Sequence, residues 1–277
     1  MDESIGIGEK ESFFKKNNNV SVLRENGKLD RITFLDKRVY QTPSGEYVPS
    51  VTSILSALPP SPFFMDWVKE TGFNADIIRD RAAKEGTQVH EGIEDLLKGE
   101  DLQWVDEYGN AKYGLHVWRM LLRFKDFYDL VKPETLASEM FVYSEKYGFA
   151  GTVDYLTKVN VLNDEKKPET WLLDFKSSNH IGLSYDLQLA AYAKGLEEKG
   201  IKIDRCGVLW LKASTRTQRY TLKGDSVTCQ GEGWQISFVD DIDKAFEVFQ
   251  HVHEIYKVLN PKIEPYTKTY PVEISLK

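Results

Sequence analysis

Cysteine is nearly missing: 277 residues carry only Cys206 and Cys229, 23 positions apart. No CxxC or Cys/His spacing surrounds them, which excludes a zinc ribbon or an iron–sulfur cluster built on cysteine ligands and leaves two buried thiols as the expected reading. Also missing is any apolar run long enough to span a bilayer, so no membrane partner is expected. The first sixteen residues have no apolar signal core. They mix lysines with Asp2, Glu3, Glu9 and Glu11, which is unlike a secretory signal or an acid-poor transit peptide, and a cytoplasmic address is expected. No GxxxxGK[ST] phosphate loop occurs, so ATP is not an expected cofactor. There is no internal repeat, low-complexity run or Gly/Ser linker, and residues 1–277 are read as one domain. The net charge of −7 argues against a protein that coats nucleic acid, since counterion release rewards clustered Lys and Arg. It does not argue against an enzyme with an acidic site and a local basic groove.

What is present is a change of hydrophobic period along the chain. Residues 1–47 read as a β-hairpin extension: Val20–Arg24 and Arg31–Leu35 flank a turn at Asn26-Gly27, and a second turn follows at Pro43-Ser44-Gly45. Residues 48–132 read as a helical front. Short helices are expected at Ser50–Leu58 and at Pro62–Glu70, the latter capped by Ser61, and a longer amphipathic helix at 74–98 with a break near Gly86. Another runs from Tyr113 to Val131. Residues 133–260 then read as a sheet core: strands at Thr135–Tyr143, Phe149–Val161 and Trp171–Phe175, a helix at Ser184–Lys199, strands at Arg205–Leu211 and Gln218–Leu222, and a helix from Asp240 to Leu259. Residues 261–277 are left as a tail. The order predicts an α/β fold, a central mixed sheet flanked by helices.

Within that order, Asp174 and Lys176 end an apolar strand two residues apart and so share one side of it. An isolated DxK is as readily a plain ion pair. The preceding strand adds Asp154 in the apolar context Gly151-Thr152-Val153-Asp154-Tyr155, where an ionised carboxylate needs a cation or a dense set of donors. Upstream, Gly86, His90 and Glu94 fall four apart on one helix face, while Val89, Ile93 and Leu97 fall on another. A lone helical histidine is often only a surface residue; here it has acidic company. Gln188 and Tyr192 form a polar i, i+4 ridge on a Leu/Ala-rich helix, either a half-exposed face or partners for phosphate oxygens or bases. Basic residues interleaved with aromatics, Lys69, Arg79, Arg81, Lys84, Lys112, Arg119 and Arg123 among Trp67, Phe73, Tyr113 and Trp118, offer either a strand-binding track or a solvated helix face over an aromatic core.

Taken in sequence, Val48-Pro49-Ser50-Val51-Thr52, Gly86-Thr87 with His90 and Glu94, the strand acid Glu139, Gly151-Thr152-Val153-Asp154, Asp174-Phe175-Lys176, and Gln188 with Tyr192 resemble the RecB-like branch of the PD-(D/E)XK nucleases, which includes phage exonucleases and the mitochondrial genome maintenance exonuclease. The resemblance spans residues 48–192. It implies a restriction-endonuclease-like three-layer core and a metal-dependent DNA exonuclease of phage or bacterial recombination and repair. It further implies that His90, Asp154, Asp174 and the Phe175 backbone carbonyl ligate Mg²⁺ or Mn²⁺. Lys176 would orient or help deprotonate the attacking water and stabilise developing charge, Glu139 would polarise the site, and Glu94, Gln188 and Tyr192 would hold the substrate. Single-stranded or duplex DNA ends are the implied partner, with a recombinase, single-strand annealing protein or helicase as separate chains. Two rivals are a two-carboxylate hydrolase of another class, active in a chelator, and a DNA-binding module that keeps the fold without cleavage.

Overall fold

Strand alternation in the second half of the chain builds the centre of the molecule, and helices from both halves cover its two faces. The computed structural model describes residues 20–25, 28–35, 39–41, 46–160, 168–220, 226–271 and 274–276. In chain order the elements are β1 (Val20–Glu25), β2 (Lys28–Leu35), β3 (Val39–Gln41), β4 (Tyr47–Pro49), α1 (Val51–Leu55), α2 (Pro62–Thr71), α3 (Ala75–Leu97) and α4 (Leu115–Val131). They continue with β5 (Glu134–Ser144), β6 (Phe149–Val159), β7 (Glu169–Lys176), α5 (Leu183–Glu197), β8 (Arg205–Tyr220), β9 (Ser226–Phe238), α6 (Ile242–Leu259) and β10 (Thr267–Pro271).

The central sheet has the order β5-β6-β7-β8-β9. Its first three strands are an antiparallel meander; α5 then crosses over so that β8 lies parallel to β7, and β9 returns antiparallel. This is a mixed sheet between two helical layers. On one face Val89 and Ile93 of α3 and Met120, Leu121, Phe124 and Phe127 of α4 pack on Tyr155, Trp171, Leu173 and Phe175. On the other, α1, α5 and α6 pack on Val142, Phe149, Leu156, Leu172 and Val208. The sheet is therefore buried on both sides, and β7, Glu-Thr-Trp-Leu-Leu-Asp-Phe-Lys, is apolar on both its faces as that requires. Among the described residues no helix is long and apolar enough to cross a membrane.

Four sequence expectations change. First, α3 runs unbroken through Gly86, because one glycine costs only about 1 kcal/mol in a helix and the packed Val89 and Ile93 outweigh it. Second, β8 is one strand from Arg205 to Tyr220, absorbing the first part of the strand expected at Gln218–Leu222, whose remaining residues lie outside the described ones. Third, β9 was not expected, since its glycines and mixed polarity hide the alternation. Fourth, the expected tail contains β10, which pairs antiparallel with β2 and makes β1-β2-β10 a three-stranded sheet. The turns at Asn26-Gly27 and Pro43-Ser44-Gly45 lie outside the described residues, as does the side chain of Cys229; Cys206 is buried as expected.

Under the helical layer formed by α5 and α6, His253 is 3% exposed and packs beside Phe249, and its Nε2 has no hydrogen-bond partner among the described residues. Burial, assisted by the neighbouring Lys257 ammonium and opposed by Glu254, lowers its pKa to about 4 from the ordinary 6.5. The unfolded chain then takes the proton first. Stability contributed by the neutral ring is full above about pH 6.5 and is lost as pH falls toward 4, on the order of 3 kcal/mol in all. Urea denaturation of wild type and His253→Leu at pH 7 and pH 4.5 should show a smaller loss for the variant; equal losses would remove this account.

Candidate active site

The sheet opens where its acids are. Pairing between β6 and β7 runs from Val159↔Glu169 to Tyr155↔Leu173 and stops there. Beyond it the Phe175 amide donates instead to Asp154 Oδ2, at 3.0 Å. The side chain thus takes a backbone donor that a continued ladder would have used, and the Asp154 carboxyl is fixed against the C-terminal end of β7.

Onto this opening α3 delivers His90. Its approach depends on Gly86, one turn earlier, where an added Cβ would sit 3.2 Å from Ser177 Oγ in the loop after β7. The imidazole Nε2 lies 2.9 Å from the Phe175 carbonyl oxygen. A carbonyl can only accept, so Nε2 carries the proton and, in the neutral ring, Nδ1 presents a lone pair. That nitrogen is 3.5 Å from Asp154 Oδ2. Two acceptors face each other across a gap that only a proton or a cation can make favourable.

Glu139 completes the cluster. Ligand atoms of His90, Glu139 and Asp154 all lie within 4.8 Å of one another, the sole such group of three or more among the described residues. Glu139 has φ +51, a left-handed conformation inside β5, adjacent in sequence to Ser138, which pairs with Tyr155. For a residue with a Cβ this costs about 1–2 kcal/mol, and strain of this kind is characteristic of functional sites.

Asp174 is 3% exposed and stands beside this group without belonging to it. Its Oδ1 accepts from Gln188 Nε2 at 3.0 Å, and the Lys176 ammonium is 2.5 Å from its Oδ2. Burial alone would push the Lys176 pKa down, but the Asp174 and Asp154 carboxylates hold it above the ordinary lysine value. The group is a fixed cation and poor base. Asp154 is pushed up to about 6, first by burial and then by Asp174, with His90 and Lys176 opposing. Asp154 and Asp174 face a single ammonium, so this pair lacks positive charge.

That deficit is the test of the implied metal, and the residues fit one. Carboxylate oxygens with one imidazole suit a hard divalent ion, and the lone pair on His90 Nδ1 already points among them. In this arrangement the Phe175 carbonyl, implied as a ligand, instead accepts the His90 N–H and sets which nitrogen faces the acids. Asp174 is held by Lys176 and Gln188 next to the cluster.

Other expected residues land elsewhere. Glu94 is one turn past His90, its carboxylate 2.8 Å from Lys98 of the same helical face. Tyr192 is 4% exposed, so its phenol is part of the core rather than a substrate-facing ridge; it lies 3.5 Å from Gln188 Nε2, and burial raises its pKa. Arg123 is buried, donating to the Leu211 carbonyl. Lys69, Arg79 and Arg81 each pair with an acid on their own helix, at Asp66, Asp76 and Glu85. Sequence reasoning missed Tyr185, whose ring centroid lies 4.8 Å from the Lys176 ammonium. The signal was available: Tyr185 is three residues before Gln188 on the same helix.

No family model and no curated protein matches the chain. The site therefore has to be judged on its own geometry.

Two substitutions probe that geometry. Glycines are normally poor strand residues, yet at position 139 the left-handed backbone should reverse the order, so that Glu139→Gly melts above Glu139→Ala by about 1 kcal/mol of stability. A stability order with Ala above Gly would remove the strain argument. At Gly151 an added Cβ would lie 2.5 Å from Tyr192 Cε1. Gly151→Ala should cost about 1–3 kcal/mol in denaturant unfolding, and clearly less in a Tyr192→Ala background, since the clash partner is then gone.

Proposed function

We propose that this chain is a divalent-metal-dependent DNA nuclease of the PD-(D/E)XK type, an exonuclease of the RecB-like branch working in phage or bacterial recombination and repair. The observation that carries the reading is the meeting of Asp154, Asp174 and Lys176 where the β6–β7 ladder stops, with His90 and Glu139 brought to the same point from a helix and a neighbouring strand. A simple DxK ion pair would need neither the histidine nor the strained acid.

In this reading His90, Glu139 and Asp154 would hold Mg²⁺ or Mn²⁺, with Asp174 alongside. Such an ion supplies a nucleophile near neutral pH and neutralises the scissile phosphate. The protein's own groups do the rest. Lys176, kept protonated by its two acids, stabilises negative charge on the phosphate oxygens in the transition state. Its expected share in taking a proton from water is the weaker role, because its acid neighbours raise its affinity for the proton it already carries and leave the nitrogen no free lone pair to accept another. Gln188 fixes one oxygen of Asp174 and leaves the other to Lys176. Tyr185 packs against the ammonium and limits its rotamers.

The reading is tested with end-labelled single-stranded, duplex, overhang and circular DNAs in Mg²⁺, Mn²⁺ and EDTA. Linear DNA should be digested in one of the metals, circles should resist, and EDTA should abolish activity. Lys176→Ala and Asp174→Ala should each lower the rate at least about 10²-fold. Digestion by either variant at the wild-type rate, or binding of DNA without cleavage in both metals, overturns it.

A further inference from the structure

Beside the proposed active site, α4, β8, β9 and the loop after β7 enclose a cleft of about 280 Å³ whose walls include His116, Arg119, Arg123, Asn179, Lys212 and Glu232. Three of these are permanent cations and one is an anion. Glu232 Oε2 accepts from both guanidiniums, at 2.7 Å from Arg119 and 2.7 Å from Arg123. The two partners differ. Arg123 is 9% exposed and locked by the Leu211 carbonyl, whereas the Glu232 side chain is 62% exposed and the Arg119 side chain 49%. One carboxylate oxygen thus occupies a fork of two guanidiniums held open by the core, the arrangement that also suits a phosphate oxygen. Lys212 stands in the same cleft, exposed, with no carboxylate partner among the described residues.

The cleft is continuous with the catalytic strand. Lys176 of β7 is in register with Trp210 of β8, and the Trp210 indole donates to the Ser178 carbonyl, tying down the loop that ends at Asn179. Lys212 is two residues further along β8, at an irregularity in its pairing with β9 between Trp210 and Ala213. The neighbouring cavity on the other side of Glu232 is lined by Asp126 and Asp129 as well, and its charge would turn a phosphate away.

We propose that this cleft binds a backbone phosphate of the substrate strand near the scissile bond, and that Glu232 is an internal surrogate for that phosphate which the strand displaces from Arg119 and Arg123. The proposal rests on the nuclease reading. The Arg119–Glu232 pair is exposed on both sides and contributes little to stability, and Arg123 keeps the Leu211 carbonyl when Glu232 leaves, so exchange for a phosphate is an accessible step.

The test is metal-free DNA binding, followed by fluorescence anisotropy of a labelled single-stranded oligonucleotide in EDTA over a range of salt. Lys212→Ala and Arg119→Ala should weaken binding several-fold and each reduce the slope of log K against log salt by about 0.7, the value of one lost contact. Glu232→Gln should do the reverse, tightening binding several-fold and steepening the slope, with an unchanged melting temperature. A purely structural Glu232 predicts a lower melting temperature and no tightening, and that result overturns the proposal, as does an unaltered slope in Lys212→Ala. Inorganic phosphate and pyrophosphate serve as competitors: displacement of DNA only at far higher concentrations than an unlabelled oligonucleotide supports a strand site, while pyrophosphate competing as well as the oligonucleotide assigns the cleft to a free anion and overturns it. The two readings fail separately. Loss of DNA cleavage in both metals with Glu232→Gln still tightening defeats the nuclease and spares the cleft; cleavage without tightening does the opposite.

Discussion

Burying Asp154 and Asp174 on two neighbouring strands, where the ladder between them stops, is the constraint to which the surrounding structure answers. A carboxylate taken out of water without compensation is costly, and two together repel. The compensation here is one ammonium at 2.5 Å, one backbone amide and one side-chain amide, each given to a different oxygen. It is insufficient. Asp154 remains pushed up to about 6, a preference of roughly 3 kcal/mol for the protonated form over an ordinary aspartate. Structural ion pairs are built to lower carboxylate pKa values, as Asp204 does with Lys202 on the surface of this same chain. A buried acid left in such a deficit marks a place where a nearby cation would be favourable.

Holding the acids there requires close packing from both helical layers. On one side α3 must come near enough for His90 to reach the Phe175 carbonyl, and Gly86 permits it. On the other, α5 is buried almost all round, which brings Gln188 to Asp174 and presses Tyr192 against Gly151. Gly195 does the same further along α5, against Val142 of β5. The glycines and the polar groups thus belong to one design. Small residues let the backbones approach, and the approach sets the polar distances to within hydrogen-bond length.

Much of this was legible in the sequence because it depends on period. The β6–β7 meander, the crossover helix and the same-face placement of Asp174 and Lys176 follow from alternation and i, i+4 spacing, and so does the separation of His90 from Val89 and Ile93. What escaped depends on contacts distant in sequence. Tyr192 reads as a polar ridge on a helical wheel, but α5 is covered by both β-sheet and α6, so its ridge is interior. The left-handed backbone of Glu139 has no signature in a residue with a side chain. Arg123 and Arg119 look alike in sequence; only the position of α4 over β8 makes one a buried fixture and the other an exposed arm. β9 and β10 escaped because polar residues and a proline interrupt their patterns, leaving pairing partners to define them.

Net charge illustrates the same difference between a sum and an arrangement. At −7 the chain as a whole repels a polyanion. Yet screening confines that repulsion to about 8–10 Å in physiological salt, so what an approaching strand meets is the local balance. Most of the exposed cations on α2 and α3 are answered by acids on their own helices, which cancels their field at that range. The cleft between α4 and β8 is different: Arg119 and Arg123 share a single exposed carboxylate, and Lys212 beside them has no carboxylate partner among the described residues. An acidic protein can therefore keep an acidic cluster and a locally basic cleft a short way apart on neighbouring strands, Lys176 of β7 being in register with Trp210 of β8, two residues before Lys212.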